Sequence, residues 1–221
     1  MKRFEAIIFD MDGVIVDTEP LHRKAYFKMF GDYNIEVNDE MYDSFTGQAT
    51  LPICRKLCGH FALSETPENL VALKRKHFKY LFENDSDLTL LEGVKELIED
   101  YHRNGLTLVL ASSASMLNID RIFERFDLNQ YFKAKISGAD LQASKPHPEI
   151  FLKAAELAGE HPSDCMVIED STNGIAAAKA ANIYCVGFKS PHSTNQDYGK
   201  ADKVISSFEE ISFSNLKNIL R

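Results

Sequence analysis

The sequence predicts an α/β protein: a three-layer core around a parallel sheet, with a helical insert after the first strand. Three observations carry this reading. Phe4, Ala6, Ile7, Ile8 and Phe9 make a short apolar run of the kind that forms a parallel strand buried on both faces. Residues 35–83 then read as helices with no strand signal. From about residue 88, apolar strand-like runs alternate with segments of helical spacing, which implies parallel pairing through right-handed crossovers.

Each element has a local cause. Thr18 or Glu19 opens a helix with Pro20 in its first turn, and Gly31 is a natural stop. Phe45 to Thr50 break the next two helices, and the second of these restarts at Thr50-Leu51-Pro52 and ends near Gly59. Thr66-Pro67-Glu68-Asn69 is an N-cap signature. The helix it opens is predicted to carry Leu70, Leu73, His77, Tyr80 and Leu81 on one side, with Lys74-Arg75-Lys76 as a solvated basic face.

A helix from Gly93 to Asn104, closed by Gly105, precedes the buried strand Leu106–Ala111, which ends at Ser112 and Ser113. Asn118 to Phe126 is a helix and Ala134 to Ser137 a short strand. Pro148 opens a helix to Leu157 after the loop Ser144-Lys145-Pro146-His147-Pro148. Cys165–Glu169 is a strand and Gly174–Ala181 an alanine-rich helix. Ile183–Gly187 and Lys203–Ile205 complete the strands, and a terminal helix follows.

Composition bounds the function. A chain of 221 residues can bury a sizeable core, and 44% hydrophobic with 26% charged residues is ordinary for a globular protein. A net charge of −8 argues against nucleic acid, whose backbone needs a basic footprint. No apolar run approaches the ~20 residues of a membrane span. The chain enters its first strand with no cleavable leader pattern, so no secretory signal is expected. Cys165 and Cys185 lie in apolar runs, and Cys54 and Cys58 near His60 offer too few ligands for a zinc site. Reduced cysteines, a cytoplasmic location and a monomer or weak dimer are expected.

The polar residues fall at the ends of apolar strands: Asp10 and Asp12 with Gly13, then Ser112 and Ser113, then Glu169 and Asp170. In a parallel sheet these ends share one edge, where ligands of open α/β sheets bind. Lys145 follows another strand-like segment. Singly, each has a plainer explanation: a turn for Asp-x-Asp-Gly, a helix cap for Ser112, a solvated surface for Lys145. Together they supply carboxylates for a divalent cation, hydroxyls for phosphate oxygens and a fixed positive charge, which are the parts phosphoryl transfer requires.

These residues, in this order, resemble the four motifs of the haloacid dehalogenase superfamily: Asp10-Met11-Asp12-Gly13-Val14, Leu110-Ala111-Ser112, Lys145-Pro146, and Glu169-Asp170-Ser171 with Gly174. Asp17-Thr18-Glu19-Pro20 and the phrases around Lys145 and Glu169 are similar to the β-phosphoglucomutase-like branch, which includes sugar-phosphate phosphatases. The resemblance implies a Rossmann-like core at 1–16 and 86–221 and a helical cap at 17–85. It implies Asp10 as nucleophile through an aspartyl-phosphate, Asp12 as general acid and base, and Ser112 and Lys145 as holders of the phosphoryl oxygens. Mg²⁺ is the implied cofactor, on Asp10, the Asp12 carbonyl and Asp170, with Glu169 nearby or through water. His22, Thr46, Gly47, Gln48, Lys76, Ser113 and Asn173 are the implied substrate-binding residues, with Thr18 also matching family mutases.

The partner implied is a small phosphorylated metabolite. A phosphatase for a sugar or polyol phosphate is favoured over a β-phosphoglucomutase. Family mutases carry cations in the cap loop, where Thr46-Gly47-Gln48-Ala49-Thr50 has none. A dehalogenase needs neither Asp12 nor Asp170, and a non-catalytic binding module of the same fold would have no need of all four motifs.

Overall fold

The computed structural model describes residues 4–45, 48–85, 88–190, 193 and 195–219. In chain order, β1 (Ala6–Phe9) is followed by α1 (Glu19–Asp32), α2 (Asp39–Asp43), α3 (Thr50–His60) and α4 (Pro67–Asn84). Then come α5 (Val94–Arg103), β2 (Thr107–Ser112), α6 (Met116–Arg125), β3 (Ala134–Ser137), α7 (Glu149–Ala158) and β4 (Cys165–Glu169). The chain closes with α8 (Thr172–Ala180), β5 (Tyr184–Phe188), β6 (Lys203–Ile205) and α9 (Phe213–Ile219).

The six strands form one sheet in the order β3-β2-β1-β4-β5-β6, and every pairing is parallel. Alternation along the strands explains the three layers. Ile7, Phe9, Leu108 and Leu110 face one apolar cluster with α5 and α6, whereas Ala6, Ile8, Val109 and Ala111 face another with α7 and α8. A strand buried on both faces needs apolar residues at every position, which is why Ala6 to Phe9 read as an unbroken run.

The helices between β1 and α5 enclose a third cluster, built from residues such as Tyr26, Phe30, Phe45, Ile53 and Leu70. Leu21 and Ala25 of α1 and Phe78 and Phe82 of α4 belong instead to the core cluster beneath. The two strands of chain entering and leaving this unit are tied together: Val16 bridges Leu90, and Leu91 N–H donates to Ile15 O at 3.0 Å. Arg125 donates to the carbonyls of Phe82, Asp85 and Leu88 at 3.2, 2.8 and 3.3 Å, which pins the returning segment to α6.

Some local expectations differ from the structure. Gly31 lies inside α1, and the left-handed residue beyond it is Asn34 at φ 51°. Asparagine tolerates that region because its side chain bonds locally. On α4 the buried face is Leu70, Val71, Lys74, Phe78 and Phe82, while Tyr80 is 64% exposed. The predicted stripe was turned because α4 packs against both α1 and α3, and the positions of those helices decide which face is covered. Lys74 therefore does not belong to a solvated basic face; it is 2% exposed.

Candidate active site at the tip of the first strand

The site begins where β1 stops. Asp10 follows Phe9, and its N–H still donates to Ile168 O of β4 at 3.0 Å, so its backbone is fixed by the sheet. Because β1 is flanked by β2 and β4, Ser112, Glu169 and Asp170 emerge beside it. Beyond Asp10 the chain coils into a tight turn, with Ile15 N–H to Met11 O at 2.8 Å and Gly13 N–H to Val16 O at 2.8 Å. Gly13 has φ +80°, and a Cβ there would stand 2.0 Å from Asp170 Oδ2.

Lys145 joins the acids. Its ammonium donates to Asp10 Oδ1 at 2.6 Å, to Glu169 Oε1 at 2.7 Å and to Ala111 O at 3.3 Å, and the residue is 3% exposed. Glu169 is occupied on both oxygens, since Oε2 accepts from the backbone and hydroxyl of Ser171 at 2.8 and 2.9 Å. Its carboxylate fits against Gly174, where a Cβ would lie 1.7 Å from Oε1. Ser171 caps α8 by accepting from Gly174 N–H. Ser112 Oγ accepts from Ala114 N–H at 3.1 Å, and the cap of α6 is Ser115. Asp170 accepts a short hydrogen bond from Ser193 Oγ, and Asp12 accepts one from Thr18 Oγ1.

A cavity of about 360 Å³ opens above these groups. Its floor includes Asp10, Asp12, Ser112, Lys145 and Asp170, and its roof includes Glu19, His22, Tyr26, Tyr42 and Lys74. His22 stacks on Phe78 with ring centroids 4.3 Å apart and has Nδ1 at 2.5 Å from Lys74 Nζ, while Nε2 is 3.8 Å from Asp12 Oδ1. Lys74 Nζ also sits 4.6 Å from the centre of the Tyr26 ring. Glu19 Oε1 accepts from the Tyr42 hydroxyl at 2.7 Å.

Burial dominates the electrostatics. It raises the Asp10 carboxyl to about 7, against the pull of Lys145 and with added repulsion from Glu169 and Asp12. Burial raises Asp12 too, partly offset by the Thr18 hydrogen bond, and it raises Asp170 well above the usual carboxylate range, helped by Glu169 and Asp10. For Lys145, burial works against the ammonium, but Asp10 and Glu169 together outweigh it and its pKa is raised. Burial lowers Lys74 to about 8 despite Asp12 and Glu19, and burial with Lys74 holds His22 well below its usual value.

The structure brings together Asp10, Asp12, Ser112, Lys145, Glu169 and Asp170, and adds His22, Gln48 and Ser113 to the same cavity. Thr46 and Gly47 lie outside the described residues. Lys76 was expected at the substrate; it is exposed on α4, two residues round the helix from Lys74, which lines the cavity. Asn173 was expected there as well, but it occupies the first turn of α8 and does not line the cavity.

Sequence reasoning missed Glu19, Tyr42, Lys74 and Ser193. For Lys74 a signal was present, because it stands four residues from Leu70 and four from Phe78 on one helical face. For Tyr42 and Ser193 no local pattern points to the cavity.

A parallel α/β sheet with acids and a lysine at its central strand tips, roofed by helices, is the class of architecture that binds its ligand at the carboxyl edge. A family model described as haloacid dehalogenase-like hydrolase matches residues 7–188. The chain belongs to that family. It is 28% identical over 222 residues to hexitol phosphatase B of Escherichia coli (strain K12), covering 97% of each chain. Among solved structures, CbbY from Rhodobacter sphaeroides in complex with phosphate superposes with a TM-score of 0.87 at 25% identity, covering 97% of this chain and 99% of that one. The β-phosphoglucomutase from Clostridium difficile superposes with a TM-score of 0.83 at 26% identity, covering 99% of this chain and all of the other (100%).

Proposed function

We propose that this chain is a Mg²⁺-dependent phosphatase that hydrolyses a small sugar or polyol monophosphate through an aspartyl-phosphate on Asp10. The observation that carries the reading is Lys145 Nζ at 2.6 Å from Asp10 Oδ1, at a strand tip that faces a cavity roofed by helices. The similarity to hexitol phosphatase B supports the substrate class. Residues 17–85 act as a cap domain over a core of 1–16 and 86–221, and the separate apolar cluster of the cap supports that division. The four free cysteines fit a reducing, cytoplasmic setting.

The donor set fits a hard divalent cation. Of the four acids at this edge, Asp10, Asp12, Glu169 and Asp170, Lys145 bonds Asp10 and Glu169, which leaves two further carboxyls, Asp12 and Asp170, beside a single paired ammonium. No group of three or more His, Cys, Asp or Glu side chains has metal-holding geometry among the described residues. The proposed set requires only two carboxylate side chains, Asp10 and Asp170, with the Asp12 carbonyl and water as the other oxygens. Glu169, with both oxygens engaged by Lys145 and Ser171, orients Lys145 and stays outside that set. When bound, Mg²⁺ would supply positive charge against the phosphoryl oxygens.

The chain's own groups then divide the work. Asp10 attacks phosphorus, forming an O–P bond as the ester P–O bond breaks, and Asp12 gives its proton to the departing alkoxide. Burial raises the Asp12 pKa, which favours the protonated form that step requires. Water next attacks the phosphorus, Asp12 takes its proton, and Asp10 is released. Ser112 and Lys145 hold phosphoryl oxygens, and Lys145 favours the ionised form of Asp10 against its burial.

A mutase needs a grip on a second phosphate. In the roof, Arg23 pairs with Asp39 at 2.6 Å and Lys74 with His22, so each of these two cations already has a partner. The test is phosphate release from sugar and polyol phosphates with and without Mg²⁺, beside β-glucose 1-phosphate with a glucose bisphosphate primer. Mg²⁺-dependent release is the expected result. Glucose 6-phosphate forming faster than free phosphate would overturn the phosphatase reading in favour of a mutase.

A further inference from the structure

The phrase Asp17-Thr18-Glu19-Pro20 lends Thr18 to Asp12, but Glu19 has no part in the chemistry above. Its carboxyl lines the cavity from the first turn of α1, where burial raises its pKa to about 7 against the Tyr42 hydrogen bond and the nearby Lys74. Tyr42 on α2 is buried, with ring centroids 5.9 Å from both Tyr26 and Phe45, so its hydroxyl is held in place against Glu19 Oε1. A carboxylate accepts more hydrogen bonds than the one that Tyr42 supplies. The surrounding wall carries Tyr26, Gln48 and Thr50, neutral hydrogen-bonding groups suited to hydroxyls, beside the cations Arg23 and Lys74.

We propose that Glu19, held by Tyr42, selects substrates with a free hydroxyl on the carbon chain beyond the phosphorylated carbon. The inference rests on the phosphatase reading and names the group that reads the substrate. A hydroxyl donating to the ionised form of Glu19 makes a charge-assisted bond, and the neutral carboxyl still accepts through its carbonyl oxygen. An alkyl phosphate without hydroxyls would displace water from Glu19 and leave it without that donor, and sites built around a substrate hydroxyl reject such analogues strongly. Tyr42 is a positioning residue in this scheme, acting through Glu19.

The experiment compares kcat/KM for glycerol 1-phosphate and a hexitol 6-phosphate with that for propyl phosphate, all with Mg²⁺. The wild-type protein is expected to favour the polyol esters by about tenfold or more. Glu19→Ala is expected to remove most of that preference, and Tyr42→Phe part of it. A wild-type protein that cleaves none of the esters would overturn the phosphatase reading and this inference together. A wild-type protein that cleaves them, with a preference unchanged in Glu19→Ala or with all esters lost in equal proportion, would overturn the inference alone. Circular dichroism checks folding. If Glu19→Ala does not fold, an unchanged preference in both Glu19→Gln and Tyr42→Phe overturns it.

Discussion

A Cβ on Gly13 would stand 2.0 Å from Asp170 Oδ2, so the turn after β1 and the carboxylate after β4 share a space that only glycine leaves open. The positive φ of Gly13 adds a second reason, since a side chain there is strained whatever the space. Gly13→Ala is expected to fold yet lose Mg²⁺ affinity and at least about a hundredfold in turnover, because Asp170 must move out of line with Asp10. Calorimetric titration with Mg²⁺ measures the first effect independently of activity. An alanine variant that binds Mg²⁺ like wild type would show that the clash is relieved elsewhere.

Lys145 neutralises two buried acids at once. Lys145→Met is expected to abolish turnover and to lower stability by about 3–5 kcal/mol near neutral pH, the usual consequence of leaving buried charge unpaired. The sign with pH follows from Asp10, whose folded pKa is already raised to about 7 and would rise further without the lysine. A carboxyl raised in the folded state favours folding below its unfolded pKa, and that contribution is lost as pH rises through the folded value. The deficit of Lys145→Met should therefore shrink towards pH 4 and widen towards pH 8. Urea unfolding across that range measures it.

Lys74 and Lys76 separate cleanly. Lys74 is buried under the roof with its pKa lowered to about 8, whereas Lys76 is exposed. A lysine depressed in the folded state from 10.5 to about 8 disfavours folding below pH 8, and the penalty fades as pH rises towards 10.5. Lys74→Met should melt above wild type at pH 7, with the gap closing at higher pH, while activity falls at least about tenfold. Lys76→Ala should match wild type in both respects. Thermal melts from pH 6.5 to 10 and steady-state kinetics decide it.

Asp10→Asn should abolish turnover, because an amide is a poor nucleophile. Residual hydrolysis in a metal-loaded, folded variant would sink the covalent route on Asp10. Rapid-quench trapping of phosphoprotein in wild type, absent in Asp10→Asn, is the direct readout.

Arg125 ties three carbonyls where α4 returns to the core. Arg125→Ala should increase amide exchange at residues 82–85 and 88–90 and lower stability by about 1–2 kcal/mol. Small-angle scattering of wild type with Mg²⁺ and a phosphate analogue should show compaction as the cap closes and excludes water.

The core was legible in the sequence because its code is local. Ala6 to Phe9 are apolar at every position since both faces are covered, and the acids at Asp10, Asp12, Glu169 and Asp170 stand out because a charge directly after such a run requires a partner. Parallel pairing then implied that these ends share an edge. The roof was less legible. Lys74, not Lys76, reaches the cavity because the packing of α4 against α1 and α3 sets its rotation, and a run of three basic residues does not specify rotation. Glu19 meets Tyr42 across 23 residues, between helices whose spacing only the assembled cap decides. Sequence by itself determined the strands, the order of the motifs and the acids gathered at the tip of β1; tertiary packing decided which helical side chains face them, because helical periodicity states that one face is buried without stating against what.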